Sequence, residues 1–262
     1  MRILAVGDVC GEIGCEALRR VLPGLKREHK IDMTVVNGEN SADGNGITPD
    51  SAAALFAAGA DVITGGNHTF RRKQVFDLLE ENPFLLRPHN LSIEQYGKGY
   101  CLFDLGYTAA AVINLSGKVY LERLEADCPF LAADELIERA RADGARVIVV
   151  DFHAEATSEK RALGIYLDGK VSVFFGTHTH VQTADEQILK GGTGYITDLG
   201  MTGPVDSVLG VKSDIIIDRF ILNGQDRFEL ADGRCMINGC LFEVDNKTGH
   251  TVAVKRICIV EK

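Results

Sequence analysis

Two histidines, His178 and His180, stand one residue apart in "GTHTH", directly after the apolar run "VSVFF". Imidazole is a common ligand of transition metals, and residues i and i+2 of an extended segment project to the same side. On an extended segment both rings could therefore reach neighbouring metals while Thr179 points away. The same spacing also occurs at ordinary strand ends, so this pair alone does not decide between metal ligands and ordinary polar residues at the end of a strand.

Further candidate ligands follow four other apolar runs, "RILAV", "TVVNG", "VITGG" and "VIVVDF". Catalytic and binding sites of α/β proteins are built where strands end, because strand ends are rigid and loops open above them. Five segments that deliver oxygen and nitrogen ligands to one edge predict a metal site. The polar residues at these ends are Asp8, Glu39 with Asn40, Asn67 with His68, His153, and His178 with His180.

Each motif taken singly has a plainer interpretation. "GD" and "GEN" are common turn sequences, Asn67 and His68 could cap a following helix, and His153 could be a hydrogen-bonded core histidine. A dinucleotide-binding turn at "GDVCGEIG" is disfavoured, since it lacks the GxGxxG register and puts Asp8 where a phosphate should approach. The ordered set as a whole favours a metal site over these alternatives.

The elements that must position these residues alternate along the chain. Continuously apolar strands are typical of a sheet covered on both faces. We therefore expect a single domain, residues 1–262, in which two stacked sheets lie between layers of helices. "GYCLFDLG" and "TAAAVINLSG" are expected to be neighbouring strands, and the C-terminal segment a hairpin turning at "DNKTG". Apolar spacing predicts helices at 15–29, with Pro23 as a bend, and at 49–59, 72–82, 133–144, 157–167 and 213–224.

Composition restricts the class of protein. The formal net charge of −9 over 262 residues argues against a nucleic-acid groove. No apolar run approaches the ~20 residues of a membrane span, and "MRILAVGDVCGEIG" reaches Gly and Asp too early for a signal peptide. Seven cysteines without a CxxC motif indicate reduced, mostly buried thiols, and not a disulfide framework. We therefore expect a cytoplasmic protein.

The ordered motifs "GD", "GEN", "GNH", a lone His and "GTHTH" resemble the calcineurin-like metallophosphoesterases, whose usual run is D-x-H, G-D, G-N-H, H and G-H-x-H. Two departures are informative: Cys10 stands at the usual first-motif His, and Glu39 with Asn40 replaces the usual bridging Asp. The YmdB-like branch shares these departures. "DFHAEATSEK", "FGTHTHVQTAD" and "YITDLGMTGP" extend the resemblance over essentially the whole chain.

The resemblance implies a four-layer α/β/β/α sandwich of two stacked mixed sheets flanked by helices, with a dinuclear metal site. It also implies a phosphodiesterase for small phosphodiesters, of the 2',3'-cyclic-nucleotide 2'-phosphodiesterase type. His68 would act as acid or base beside the metals, and Glu39 would bridge them. One metal would be held by Asp8, Glu39, Asn40 and His180, and the other by Glu39, Asn67, His153 and His178.

A ligand set of carboxylate, amide and imidazole suits Fe or Mn, divalent or mixed-valence, with Zn as a third candidate, and disfavours Ca. Two metals about 3.5–4 Å apart could share a bridging hydroxide that attacks phosphorus. We expect a small phosphodiester or nucleotide substrate, and the fold is compatible with a homo-oligomer. A broader metallophosphatase and a regulatory protein acting through a partner remain alternatives. Outer substrate contacts stay unassigned among Arg71, Arg87, Tyr195 and Thr202.

Overall fold

A computed structural model describes residues 1–92, 96–121 and 124–261. Its α-helices are α1 (Gly11–His29), α2 (Pro49–Ala58), α3 (Phe76–Glu81), α4 (Pro129–Ala142), α5 (Thr157–Tyr166) and α6 (Ser213–Leu222). Its strands are β1 (Arg2–Val6), β2 (Asp8–Val9), β3 (Met33–Asn37), β4 (Val62–Thr64), β5 (Tyr100–Asp104), β6 (Ala109–Ser116), β7 (Val147–His153), β8 (Val173–Thr177), β9 (Gln187–Ile188), β10 (Gly194–Ile196), β11 (Met201–Pro204), β12 (Cys235–Val244) and β13 (Thr251–Val260).

The strands form two mixed sheets. The first has the order β2-β11-β12-β1-β3-β4, with β13 paired to β12, and its β1, β3 and β4 are mutually parallel. The second has the order β5-β6-β7-β8-β10-β9, and its β6, β7, β8 and β10 are parallel. The expectation that β5 and β6 are neighbours is confirmed, and they pair antiparallel; the C-terminal hairpin of β12 and β13 is confirmed as well.

Three apolar clusters separate four layers. One cluster lies between α1, α2 and the first sheet, and a second lies between α4, α5 and the second sheet. The third is formed by the facing sides of the two sheets, with Ile3, Val35, Val149 and Phe175 among its members. The predicted α/β/β/α sandwich of two stacked mixed sheets is therefore confirmed, and strands buried on both faces account for the continuously apolar runs.

The first helix begins earlier than the apolar spacing predicts, at residue 11 and not 15. Two small residues permit this: Gly11 has φ +64°, and a Cβ at Gly14 would lie 2.6 Å from the carbonyl oxygen of Thr202. The first turn can thus pack directly on β11, where a larger side chain would hold it off. The helix continues through Pro23 to His29.

The other predicted helices are present, but two begin four residues away from their predicted starts: α4 at Pro129 and not at 133, and α3 at Phe76 and not at 72. In α2, Thr48 and Ser51 form a reciprocal capping box ahead of Pro49. α3 is preceded by two 3-10 turns, 69–71 and 73–75, so the α-helical part of 72–82 is short. The β-branched segment around α6 is helical, but none of its residues is buried.

Five of the seven cysteines are buried and all are unpaired, as expected. Within the described residues, no helix combines the length and apolarity needed to cross a membrane.

A matched pair of glycine substitutions tests the packing that positions the first ligand-bearing segment. A Cβ at Gly7 would collide with the carbonyl oxygen of Gly200, whereas a Cβ at Gly24 inside α1 would meet nothing within 4 Å. We expect Gly7→Ala to lower the free energy of unfolding by about 3 kcal/mol or more through overpacking. Gly24→Ala should raise it by about 0.5–1 kcal/mol. Urea denaturation of the three proteins measures both; equal stabilities would contradict the packing at Gly7.

Candidate dinuclear metal centre

The predicted ligands lie where strands of both sheets end. Asp8 lies in β2, just after β1, and the segments after β3 and β4 carry Glu39 with Asn40 and Asn67 with His68. His153 is the last residue of β7 in the second sheet, and the histidine pair follows β8. The sequence places these residues at one edge; the structure corrects this to two edges, one from each stacked sheet, that meet above the third core cluster.

The histidine pair does not lie on an extended strand. β8 ends at Thr177, and His178 and His180 have φ of 100° and 63°. Positive φ costs a non-glycine residue on the order of 1–3 kcal/mol, so the surroundings must hold this turn. The backbone N–H of His178 donates to Asp8 Oδ2 at 3.1 Å, and that of Thr179 donates to Asp198 Oδ2 at 3.2 Å. The expectation that i, i+2 alternation aims both rings is therefore wrong.

One cluster of facing atoms is formed by His153, His178, Asn67 and Glu39. His153 Nε2 lies 3.1 Å from His178 Nδ1 and 3.4 Å from Glu39 Oε2. Asn67 Oδ1 lies 2.8 Å from His153 Nε2 and 3.1 Å from His178 Nδ1. Two imidazole nitrogens, an amide oxygen and a carboxylate oxygen converge in this first cluster. They belong to the four residues that the family resemblance assigns to one of the two metals.

A second cluster is formed by Asp8, Asn40 and His180 on the other side of Glu39. The Asn40 amide nitrogen lies 2.7 Å from Glu39 Oε1 and 3.2 Å from His180 Nε2, and a flip of the amide would put its oxygen there instead. His180 Nε2 lies 3.9 Å from Asp8 Oδ1. Glu39 thus presents one oxygen to each cluster, as a bridging carboxylate must.

Two observations indicate that these residues fit metal ions. Asp8 Oδ1 is buried and has no hydrogen-bond partner among the described residues, although a buried carboxylate oxygen normally has one. A Cβ at Gly66 would run into Glu39 Oε2 and His153 Nε2, so the glycine leaves the first cluster open. A cation between the clusters would satisfy the orphaned oxygen.

Each histidine of the two clusters is fixed through its other ring nitrogen. Such partners set the ring orientation and leave the inward nitrogen free to bind a metal. The partners, each at 2.9 Å, are Thr177 Oγ1 for His153 Nδ1, Glu155 Oε2 for His178 Nε2, and Leu209 O for His180 Nδ1.

Asp151 forms a polar floor beneath the first cluster. Its carboxylate accepts hydrogen bonds from Thr177 at 2.7 Å, Thr64 at 2.5 Å and Asn37 at 3.0 Å, and so joins β7 to β3, β4 and β8. Burial raises the pKa of Asp151 to about 6, against the lowering effect of these three donors. The floor therefore joins the two sheets directly below His153.

Burial and charge set the protonation of the clusters. Burial raises the pKa of Asp8 to about 8. Burial would also raise the pKa of Glu39, but the adjacent His153 and His68 charges and the His68 hydrogen bonds lower it below its usual range. Burial lowers the pKa of both His153 and His178, which favours the neutral rings that metals bind.

A cavity of about 1030 Å³ opens over both clusters. His68 lines it, with Nδ1 3.2 Å from Glu39 Oε1 and 3.1 Å from Asn40 Oδ1. None of the four unassigned candidates, Arg71, Arg87, Tyr195 and Thr202, lines this cavity. Much of the wall comes from parts of the chain that the motifs did not indicate, including α1, Asn45, Glu155 and the segment 227–232.

The comparisons with known proteins decide the family. The YmdB-like protein family matches residues 4–257. The chain belongs to the YmdB-like family. It is 47% identical over 259 residues to the 2',3'-cyclic-nucleotide 2'-phosphodiesterase of Bacillus subtilis (strain 168), covering 99% of this chain and 97% of that protein.

Solved structures agree with this assignment. A novel phosphatase from Mycoplasma pneumoniae superposes with a TM-score of 0.93 at 34% identity, over 99% of this chain and 93% of the other. A putative 5'-nucleotidase from Staphylococcus aureus superposes with a TM-score of 0.60 at 14% identity, over 99% of this chain and 54% of the other, which is a likeness of fold alone.

Cys10 occupies the position at which this YmdB-like chain departs from the usual first motif. Its Sγ donates to the Asp8 carbonyl at 3.5 Å and lies 3.8 Å from His180 Nδ1, the outward nitrogen of that ring. The thiol therefore does not point into the second cluster. It packs behind His180, and the Asn40 amide lies on the inward side.

Glu155 gives a test of the histidine orientation. Glu155→Gln should weaken the affinity for Mn about 10–100-fold, because His178 loses the carboxylate that orients its ring. Glu229→Gln is the matched control, since Glu229 lines the same cavity but pairs with Lys212 at 2.6 Å. Isothermal titration calorimetry compares the affinities. Equal affinities in the two variants would show that Glu155 does not orient the ring.

Proposed function

We propose that this protein is a metal-dependent phosphodiesterase of small phosphodiesters. The observation that carries the proposal is the convergence of six oxygen- and nitrogen-bearing side chains into two clusters around the two oxygens of one buried carboxylate, Glu39, beneath an open cavity. Metals would be held by Asp8, Glu39, Asn40 and His180 on one side and by Glu39, Asn67, His153 and His178 on the other.

Iron or manganese would suit these ligands, and zinc is a third candidate. When bound, two such ions would supply Lewis-acid polarisation of the phosphoryl oxygens and a water of lowered pKa. The chain itself would orient the substrate and handle the proton of the leaving group. Neither cluster contains a serine, threonine or cysteine side chain, and hydrolysis by water needs no such nucleophile.

His68 is the residue that we assign to proton transfer. It lines the cavity next to Asn67, its side chain is 26% exposed, and its ring is anchored on Glu39 and Asn40 through Nδ1. An imidazole placed in this way could protonate the leaving oxygen of a substrate seated above the clusters.

The relative's name supports 2',3'-cyclic nucleotides as the substrate class. Their five-membered ring is strained, so cleavage needs less help to the leaving oxygen. Opening the bond from phosphorus to the 2' oxygen would yield a nucleoside 3'-phosphate. The cavity volume of about 1030 Å³ is at the upper end of the roughly 300–1,000 Å³ of small-molecule sites and accommodates a nucleotide.

A broader phosphatase is the second candidate, because the Mycoplasma pneumoniae structure carries the name phosphatase. Comparing the hydrolysis of a phosphomonoester and a cyclic diester at equal concentration separates the two. A regulatory protein that keeps the metal centre but acts through a partner would retain its cellular effect in an Asp8→Ala variant that no longer hydrolyses.

The proposal also covers the domain organisation, the cellular compartment and the oligomeric state. Residues 1–262 would form one domain, which the apolar cluster between the two sheets supports. Seven unpaired cysteines support a reducing compartment, the cytoplasm. A homo-oligomer is supported by the exposed apolar side chains of Phe220, Ile221 and Leu222 on α6.

The roles of His68 and His178 are separable. His68→Ala should keep two metals per chain but lower kcat about 10²–10⁴-fold, the usual contribution of general acid–base catalysis. His178→Ala should lose metal and most of the activity together. Elemental analysis with hydrolysis of 2',3'-cyclic AMP in the presence of Mn measures both. A metal-free His68→Ala protein would overturn the role we give this residue.

Arg227 is proposed to contact the anionic substrate. It lines the cavity, and none of the ion pairs between described residues involves it, whereas Arg20 also lines the cavity but is committed to Glu261 at 2.8 Å. Arg227→Ala should raise KM about 10–100-fold, the loss expected for a hydrogen bond to a charged group, with little change in kcat. Arg20→Ala is the control and should change KM little. Steady-state kinetics with the cyclic diester decide, and equal KM values would remove Arg227 from the site.

A further inference from the structure

A buried ion pair lies next to the turn formed by residues 178–180, here called the histidine turn, and outside both clusters. Lys160, on α5, and Asp198, between β10 and β11, are both buried, and Lys160 Nζ lies 2.6 Å from Asp198 Oδ2. Lysine is almost never fully buried without a partner, so this side chain has a specific reason to be there. Neither residue bears on the proposed chemistry directly.

Asp198 holds the histidine turn as well as the lysine. Its Oδ2 also accepts the backbone N–H of Thr179 at 3.2 Å, and its Oδ1 accepts that of Gly200 at 2.8 Å. Gly200 in turn accepts from the backbone N–H of Asp8 at 3.0 Å through its carbonyl oxygen. One carboxylate thus connects the turn that carries His178 and His180 to the segment that carries Asp8.

Space for the lysine is built into β8. A Cβ at Gly176 would lie 2.8 and 2.9 Å from Cδ and Cε of Lys160, and it would collide with the carbonyl oxygen of Thr197. The glycine that precedes the histidine turn therefore lets the lysine stem pass alongside β8 to reach Asp198. This arrangement joins α5, β8 and the loop after β10 at one point.

We propose that Lys160 and Asp198 form a positioning pair that fixes Thr179 and so directs His178 and His180 into separate clusters. The proposal rests on the metal centre proposed above. The turn has positive φ on both sides of Thr179, a conformation that persists only when its surroundings determine it. Asp198 uses both carboxylate oxygens here, since Oδ2 accepts from Lys160 and Thr179 while Oδ1 accepts from Gly200.

Stability alone is a weak explanation of this pair. Replacing a buried ion pair by uncharged residues of similar volume is often neutral or stabilising, whereas removing one partner is costly. A double substitution therefore separates positioning from stability. In Lys160→Met/Asp198→Asn the size is kept, but the amide offers one acceptor atom where the carboxylate offers two.

The test compares Mn binding and amide exchange in the double variant with the wild-type protein. We expect a folded protein whose Mn affinity falls about 10–100-fold, as for other residues that orient metal ligands. Amide hydrogen exchange at Thr179 should accelerate at least tenfold in the metal-free protein. The matched control is Lys170→Met/Asp134→Asn. It removes an ion pair of 2.9 Å between partly exposed side chains that belong to neither cluster. The Mn affinity and the Thr179 exchange rate of this control should equal those of the wild type.

The outcomes separate this inference from the proposed function. A double variant with wild-type Mn affinity and unchanged Thr179 exchange would overturn the positioning role and leave the metal centre standing. A wild-type protein that binds no Mn would overturn the proposed function, and the Thr179 exchange rates would then still report whether the pair holds the turn. If this double variant does not fold, Lys160→Gln/Asp198→Asn, which also removes both charges together, undergoes the same two measurements.

Discussion

Glu39 is the group on which the arrangement depends, because a carboxylate buried between two sheets needs donors or cations around both oxygens. The backbone N–H and ring of His68 and the amide of Asn40 supply part of this, at 2.9, 3.2 and 2.7 Å. The two oxygens face different clusters, and each cluster combines side chains that follow strands of the first sheet with histidines that follow strands of the second. The stacking of the sheets is therefore a requirement of the site as well as of the core.

The convergence of these side chains was predictable from the sequence, but their backbone geometry was not. Residue types and their order along the chain indicated which side chains converge, because α/β proteins build their sites at the carboxyl ends of strands. The backbone of His178 and His180 follows no local propensity. Their positive φ depends on Asp8 and Asp198, which are 170 and 19 residues away from the N–H groups they accept. Local alternation could not foresee a turn that distant carboxylates hold in place.

The supporting residues were missed for a related reason. Glu155 stands two residues after His153 in "DFHAE", and an acid so close to a histidine motif was a usable signal for a partner of a ligand ring. Arg227 had no such signal, since its segment joins the cavity only through the packing of the chain after α6. In the same way, apolar runs predicted the strands, but not that the C-terminal β12 inserts between β1 and β11.

The buried charges of this region oppose the stability that the three apolar clusters provide. Asp8, Glu39, Asp151 and Asp198 are all buried, and Lys160 is the one buried lysine among the described residues. Burial raises the pKa of Asp8 and of Asp151, so in each the protonated form is favoured and the ionised form is disfavoured in the folded chain. A ligand that binds only the folded state stabilises it in proportion to the logarithm of its concentration over Kd. Cations at Asp8 and Glu39 would therefore stabilise the folded chain. Asp198 and Asp151 are instead satisfied by the chain itself, Asp198 by Lys160 and Asp151 by three neutral donors.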